Sequence, residues 1–319
     1  MIKKLAVEKW KDLKSRRFIL LFLMHRYGLL VIPDWLGSAN KNGVELGPSF
    51  IENSILSSEL KKRFSCFSNI NVPEPDKKHL NGEYKNIKYL PEIKEMCLEA
   101  KKETEKIIEA GDVPVVLNGD DSALIGVLTG IASKFGNDYA LIYIDAHGDI
   151  NTPESSPSGK IFGMVLAHLM GLGNKELIKL NGKFPSLKKE NLILIGQRDL
   201  DPGEVVFIKE NNINTFSAEE VNEKSSKEVV ENIFSRLNGI NEVFVHIDLD
   251  VLDPEECSGF SMPVPNGIKI KKLIRLVKEI IKKSPKNIGL SVGEYNPKKD
   301  KKNKTRNVTL KIIKDYINN

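Results

Sequence analysis

An α/β fold, with a mostly parallel sheet between two helical layers, follows from three features of this 319-residue sequence. Strand-like apolar runs alternate with helix-like stretches along its length. The strand runs are apolar at consecutive positions, not only at alternate ones, and carboxylates follow several of them directly. A strand apolar on both sides is buried on both faces, which requires a helical layer above and below.

In chain order, GLLVIP (28–33) reads as the first strand. Residues 91–110 read as a helix with Met96, Leu98, Ile107 and Ile108 as apolar positions and Gly111 as its stop. VPVVLN (113–118) reads as a strand, and SALIGVLTGIASKF (122–135) as a helix with Ser122 as its N-cap. YALIYI (139–144), LILIG (192–196), EVFVHI (242–247) and IGLSV (288–292) complete the strands. Helices are expected near 204–211, 218–238, 270–283 and 306–317. No repeat or linker interrupts 28–319, which is taken as one domain, and 1–27 as a helical N-terminal extension.

The formal charge of +5 is modest and comes largely from Lys. No basic stripe carries interleaved aromatics, so nucleic acid is not an expected partner. KKDKKNKTR (298–306) reads as a solvated loop. Cys66, Cys97 and Cys257 form neither a metal-type pair nor a disulfide framework, which points to a reducing compartment, the cytoplasm. The basic N-terminus followed by FILLFLM lacks a small-residue cleavage site, yet leaves organelle import or secretion open. No apolar run approaches the ~20 residues that span a bilayer.

The chemistry concentrates in YIDAHGDIN (143–151) and HIDLDVLDP (246–254). Side chains alternate along a strand, so Asp145, His147 and Asp149 share a direction if the extended backbone continues past the strand end. Asp248 and Asp250 would do likewise. NGDDS (118–122) and Glu294 also follow apolar strands. Four strands therefore bring acidic groups to the carboxyl edge of the sheet, where such folds bind ligands. Converging buried carboxylates repel one another unless cations neutralise them. The ligand types suit Mn²⁺ or Mg²⁺. The expected site is a two-metal hydrolytic centre.

These segments resemble a known family. DAHGDINTPESSPSG (145–159), HIDLDVLDP and VGEYNP (292–297) resemble the signatures of the ureohydrolases, arginase in particular. GSANKNGVELGPSFI (37–51) resembles the family's N-terminal glycine loop, and RDLDPGE (198–204) the segment that reads the substrate amino group. The resemblance implies an arginase-like fold over 28–319, two Mn²⁺ per chain and a homotrimer or homohexamer. It implies that Asp145 and Asp248 bridge both metals, that His147 and Asp250 complete one, and that Asp149 serves the other. A bridging hydroxide would attack the guanidinium carbon of a small-molecule substrate. Asp149 would carry the proton to the leaving nitrogen, and Glu294 would pair with the guanidinium. Asn151, Ser158 and Asp201 match positions that hold the amino-acid end of arginine, and favour arginine over agmatine.

The chain departs from the family at several of these positions. Asp121 stands where the family has a histidine ligand, which leaves room for an oxygen-preferring cation such as Mg²⁺ or Ca²⁺. The extra carboxylate adds one negative charge and would weaken the nucleophile by raising the pKa of the bridging water. Phe162 stands where the family has a histidine that helps move protons, and Lys160 where it has asparagine. Lys160 is a candidate contact for a substrate carboxylate. Met262 replaces a threonine, and Asn118 and Asn266 each replace a glycine. The leading expectation is hydrolysis of L-arginine to L-ornithine and urea. Two alternatives stand beside it. One is a catalytically silent relative that binds metal and an amino acid or a partner subunit. The other is a hydrolase of another guanidino or formimino compound.

Overall fold

Eight strands form one sheet in the order β2-β1-β3-β8-β7-β4-β5-β6, and every pairing is parallel. They are β1 (Tyr27–Ile32), β2 (Phe64–Asn69), β3 (Val113–Asn118), β4 (Ala140–Ile144), β5 (Leu192–Ile195), β6 (Asn214–Phe216), β7 (Glu242–Asp248) and β8 (Lys286–Gly293). The computed structural model describes residues 26–80, 86–182, 185–237 and 239–318. The expected helix in 1–27 lies almost wholly outside these residues; Tyr27 already belongs to β1.

The helices are α1 (Gly47–Leu56), α2 (Leu90–Glu109), α3 (Leu124–Phe135), α4 (Val165–Leu169), α5 (Lys175–Ile178), α6 (Pro202–Glu210), α7 (Ala218–Glu223), α8 (Ser226–Arg236), α9 (Ile270–Lys283) and α10 (Lys304–Ile317). Alternate residues of each buried strand feed two separate cores. Leu29 and Val31 pack with α1, α8, α9 and α10 on one face. Leu30 and Ile32 pack with α2, α3 and α4 on the other. This is the expected three-layer α/β/α arrangement. Within one layer α2 and α3 approach closely: a Cβ on Gly126 would lie 2.2 Å from the Cys97 carbonyl oxygen. Among the described residues, no helix is long and apolar enough to cross a membrane.

Several local expectations change. The buried stripe of α2 runs through Ile93, Met96, Cys97, Ala100, Ile107 and Ile108, and Leu98 faces solvent. Ser122 is not an N-cap. Asp120 caps a single 3-10 turn, Asp121–Ala123, by accepting from the Ser122 amide, and α3 starts only after it. The helix expected over 218–238 is two helices, because Ser225 caps a new start. In the 298–306 segment the lysines are mostly exposed, but Asp300 accepts from the Thr305 and Arg306 amides and so anchors the start of α10.

The order of the four central strands positions the site. β3, β8, β7 and β4 are consecutive neighbours. Their carboxyl ends carry Asp121, Glu294, Asp248 and Asp145 respectively. Chain connections from the centre of the sheet leave in opposite directions, and such a switch point opens a crevice at the carboxyl edge.

Candidate metal centre

Asp145 and Asp248 end neighbouring strands, and each turns the chain in the same way. The Asp145 Oδ1 accepts from the His147 amide at 2.7 Å, and the Asp248 Oδ1 from the Asp250 amide at 2.7 Å. A short carboxylate that bonds the backbone two residues on makes a local turn. The acidic groups therefore converge through these turns, not through continued extended backbone. Asp149 has φ +50° and Glu294 φ +60°, in the left-handed region, which costs of order 1–3 kcal/mol for a non-glycine residue and recurs at functional sites. Asn266, one of the residues standing for a family glycine, has φ +62°. Asparagine is one of the few side chains that tolerate this conformation.

Among the described residues, two groups of potential ligands result. One ligand atom each from Asp145, His147 and Asp250 lie within 4.8 Å of one another, and so do one each from Asp121, Asp145 and Asp248. Asp145 belongs to both groups. The His147 Nδ1 lies 3.1 Å from Asp250 Oδ2 and 3.5 Å from Asp145 Oδ1. Asp149 joins neither group, and its Oδ2 instead accepts from the Tyr143 hydroxyl at 2.6 Å.

Burial and mutual repulsion load this cluster with unfavourable charge. Burial, then the neighbouring Asp250, pushes the Asp145 carboxyl up to about 7. Burial and then Asp145 raise Asp149 well above the carboxylate range. Burial and then Asp250 do the same to Asp248. Glu294 is raised by burial and then by Asp121. Burial alone would lower His147, but Asp250 and Asp145 outweigh it and push its pKa up to about 12. The Asp145 Oδ2 and His147 Nε2 are buried with no hydrogen-bond partner. A hard carboxylate-rich donor set with one imidazole and orphaned buried polar atoms fits a divalent-metal site.

A cavity of about 250 Å³ opens beside this cluster. His147, Asp149, Asn151, Ser158, Lys160, Phe162, Asp201 and Met262 all line it, so the residues expected to bind substrate share one wall system. Glu294 is not among its lining residues; it is buried next to the carboxylates. The Asn151 amide donates to Asp201 Oδ2 at 2.8 Å. The Lys160 Nζ sits 5.9 Å from the Phe162 ring centroid.

Sequence reasoning passed over several contributors. Glu204 accepts from the Ile150 and Asp201 amides and ties the loop after β4 to the start of α6. Asn118, noted in the sequence only as replacing a glycine, donates to Asp121 Oδ1 at 2.8 Å. Asp120, buried with Asp34, accepts from the Ser38 amide at 2.7 Å and anchors the 37–51 segment under Asp121. His246 Nε2 and the Tyr143 hydroxyl each lie 3.0 Å from Asp121 Oδ2. The signal was present: each stands two residues before a strand-end aspartate, on the same side of its strand.

Arg198 also went unnoticed. Its guanidinium donates to the carbonyls of Gly196, Asp250, Val264 and Pro265 at 2.9–3.1 Å. It clamps the 259–267 loop to the Asp250 turn. Lysine keeps the charge but not the planar fork. Arg198→Lys should cost about 1–3 kcal/mol in urea denaturation, as freed carbonyls lose their donors. An unchanged denaturation midpoint would show that the clamp does not hold the loop.

Comparison with known proteins agrees with this geometry. Residues 25–318 match the model of the arginase family. The chain is 37% identical over 282 residues to an arginase of Staphylococcus aureus (strain COL), covering 87% of this chain and 92% of that protein. The native arginase structure from Bacillus caldovelox superposes with a TM-score of 0.85 at 29% identity, covering 93% and 99% of the two chains. An Entamoeba histolytica arginase solved in complex with L-ornithine gives 0.81 at 28% identity, covering 92% and 98%. A family match over residues 25–318, with a 37% identical relative matched over 92% of its length, means that this chain belongs to the arginase family.

Proposed function

We propose that the protein hydrolyses the guanidino C–N bond of L-arginine to give L-ornithine and urea, with two Mn²⁺ per chain. The observation that carries this reading is the charge layout of the cavity. Asp201 and Asn151 line it together with Ser158 and Lys160, and the carboxylate cluster borders it at His147 and Asp149. An α-amino acid with a cationic tail matches this layout: ammonium toward Asp201, carboxylate toward Ser158 and Lys160, guanidinium toward the cluster. The resemblance assigns Asp121, Asp145, Asp149 and Asp248 to one cation, and Asp145, His147, Asp248 and Asp250 to the other. Bound cations supply a water of lowered pKa near neutral pH. Glu294 pairs with the guanidinium. Asp149, held by the Tyr143 hydroxyl, keeps the oxygen that moves the proton to the leaving nitrogen. Assembly as a trimer or hexamer, in a reducing cytoplasm, completes the proposal.

A second reading has specific support. Asp121 replaces a neutral ligand with a charged one, and Phe162 cannot move a proton. A protein that binds metal and an amino acid without turnover would show both. The deciding experiment incubates Mn²⁺-loaded protein with arginine, agmatine and a formimino substrate, and measures urea or ammonia release alongside binding. Urea from arginine alone supports the proposal; arginine binding without release selects the silent reading.

A further inference from the structure

The imidazole missing from position 121 has a counterpart one layer deeper. His246 is fully buried in the middle of β7. Strand register places it between Tyr143 of β4 and Ser291 of β8. Both ring nitrogens are engaged: Nδ1 lies 2.8 Å from the Ser291 hydroxyl, and Nε2 lies 3.0 Å from Asp121 Oδ2. The Ser291 hydroxyl and the Asp121 carboxylate thus hold the ring from its two nitrogens. The Tyr143 ring packs 4.4 Å from the His246 ring, and its hydroxyl lies 3.0 Å from the same Oδ2. Asn118 donates to the other oxygen, Oδ1. A carboxylate offers about four lone-pair sites. The single Tyr143 hydrogen is donated to Asp149, so His246 on Oδ2 and Asn118 on Oδ1 hold the carboxylate, and lone pairs remain free.

We propose that His246 is a positioning residue for the cation at Asp121. It orients this carboxylate from behind so that its free lone pairs face the centre. A carboxylate–imidazole pair then performs what a single imidazole does elsewhere in the family. The inference rests on the two-cation reading above. It also accounts for a uniformly apolar strand interrupted by one buried histidine, which is costly unless both nitrogens are bonded. Partners that orient a ligand in this way typically control metal affinity by about 10–100-fold.

The test is calorimetric titration of Mn²⁺ into chelator-stripped full-length protein. Asp121→Ala first identifies which of the wild-type sites involves this carboxylate. His246→Ala should weaken that site by about 10–100-fold and leave the other unchanged. His246→Gln, which keeps an N–H donor, should fall between. Asp121→His combined with His246→Ser should return affinity close to wild type, and it keeps the question answerable if His246→Ala folds poorly. Unchanged affinity in His246→Ala, or equal weakening of both sites, overturns the proposal. Wild-type protein that takes up no Mn²⁺ overturns the two-cation reading itself, and this inference with it.

Discussion

Protein stripped of divalent cations is expected to lose stability steadily as pH rises from 5 to 8, and Mn²⁺ is expected to remove most of that slope. The sign follows from the buried carboxyls. An unfolded aspartate titrates near ~3.9. Asp145 titrates at about 7 when folded, and Asp149, Asp248 and Glu294 are also raised. Their contribution is complete below the unfolded value and is lost as pH climbs through the folded one. His147 acts in the same direction, because its folded pKa of about 12 exceeds the unfolded ~6.5. Its contribution fades above that unfolded value. For Asp145 alone the ceiling is on the order of 4 kcal/mol. Cations replace the protons. Each site held at 100 times its Kd adds about 2.7 kcal/mol, so two should raise Tm by roughly 5–10 °C in a chain of this length. Scanning calorimetry at pH 5 and pH 8, with chelator and with Mn²⁺, checks both parts. Proton release on loading, read from titrations in buffers of different ionisation enthalpy, should be positive. A chelated protein with the same Tm at both pH values would contradict the charge account.

The elements legible in the sequence were those whose burial is two-sided. β3, β4, β5, β7 and β8 announce themselves as continuous apolar runs and were found within two residues at each end. β2 escaped notice because it is an edge strand. FSCFSN has one buried position, so it lacks the apolar run. β6 has three residues, too few for any pattern. α1 begins with Gly-Pro, which reads as a turn, although proline is favoured at the first helical turn. Within the site, the acidic residues were visible because aspartate after an apolar run is conspicuous. Of the network beneath them only the strand face was legible, since His246 and Tyr143 share a side with Asp248 and Asp145; the partners were not. His246 lies 125 positions from Asp121. Their contact depends on β8 inserting between β3 and β7, a fact of strand order that no local pattern encodes. Tyr143 was hidden for a different reason: it counts as apolar in a strand, although its hydroxyl reaches two carboxylates.

Phe162→His should raise kcat for arginine by about 10²-fold or more, the usual value of a positioned acid–base group. Phe162 is half-buried and lines the cavity beside Asp149, so a histidine there meets both the site and solvent. The Lys160 Nζ stands 5.9 Å from the ring it would replace. That ammonium disfavours a protonated imidazole, so the new group should titrate below the ordinary ~6.5. The kcat–pH profile should therefore gain one ionisation on its acid side. Adding Lys160→Asn should move that ionisation upward. If Lys160 holds the substrate carboxylate, the second change should also raise KM for arginine while leaving agmatine, which has no carboxylate, unaffected. The two positions thus separate in the data: residue 162 governs kcat and its pH dependence, residue 160 governs discrimination. A variant with unchanged kcat and an unchanged profile would mean that the proton leaves by a route already present. Asp149 and the Tyr143 hydroxyl bonded to it would be that route, and phenylalanine at 162 would then be no handicap.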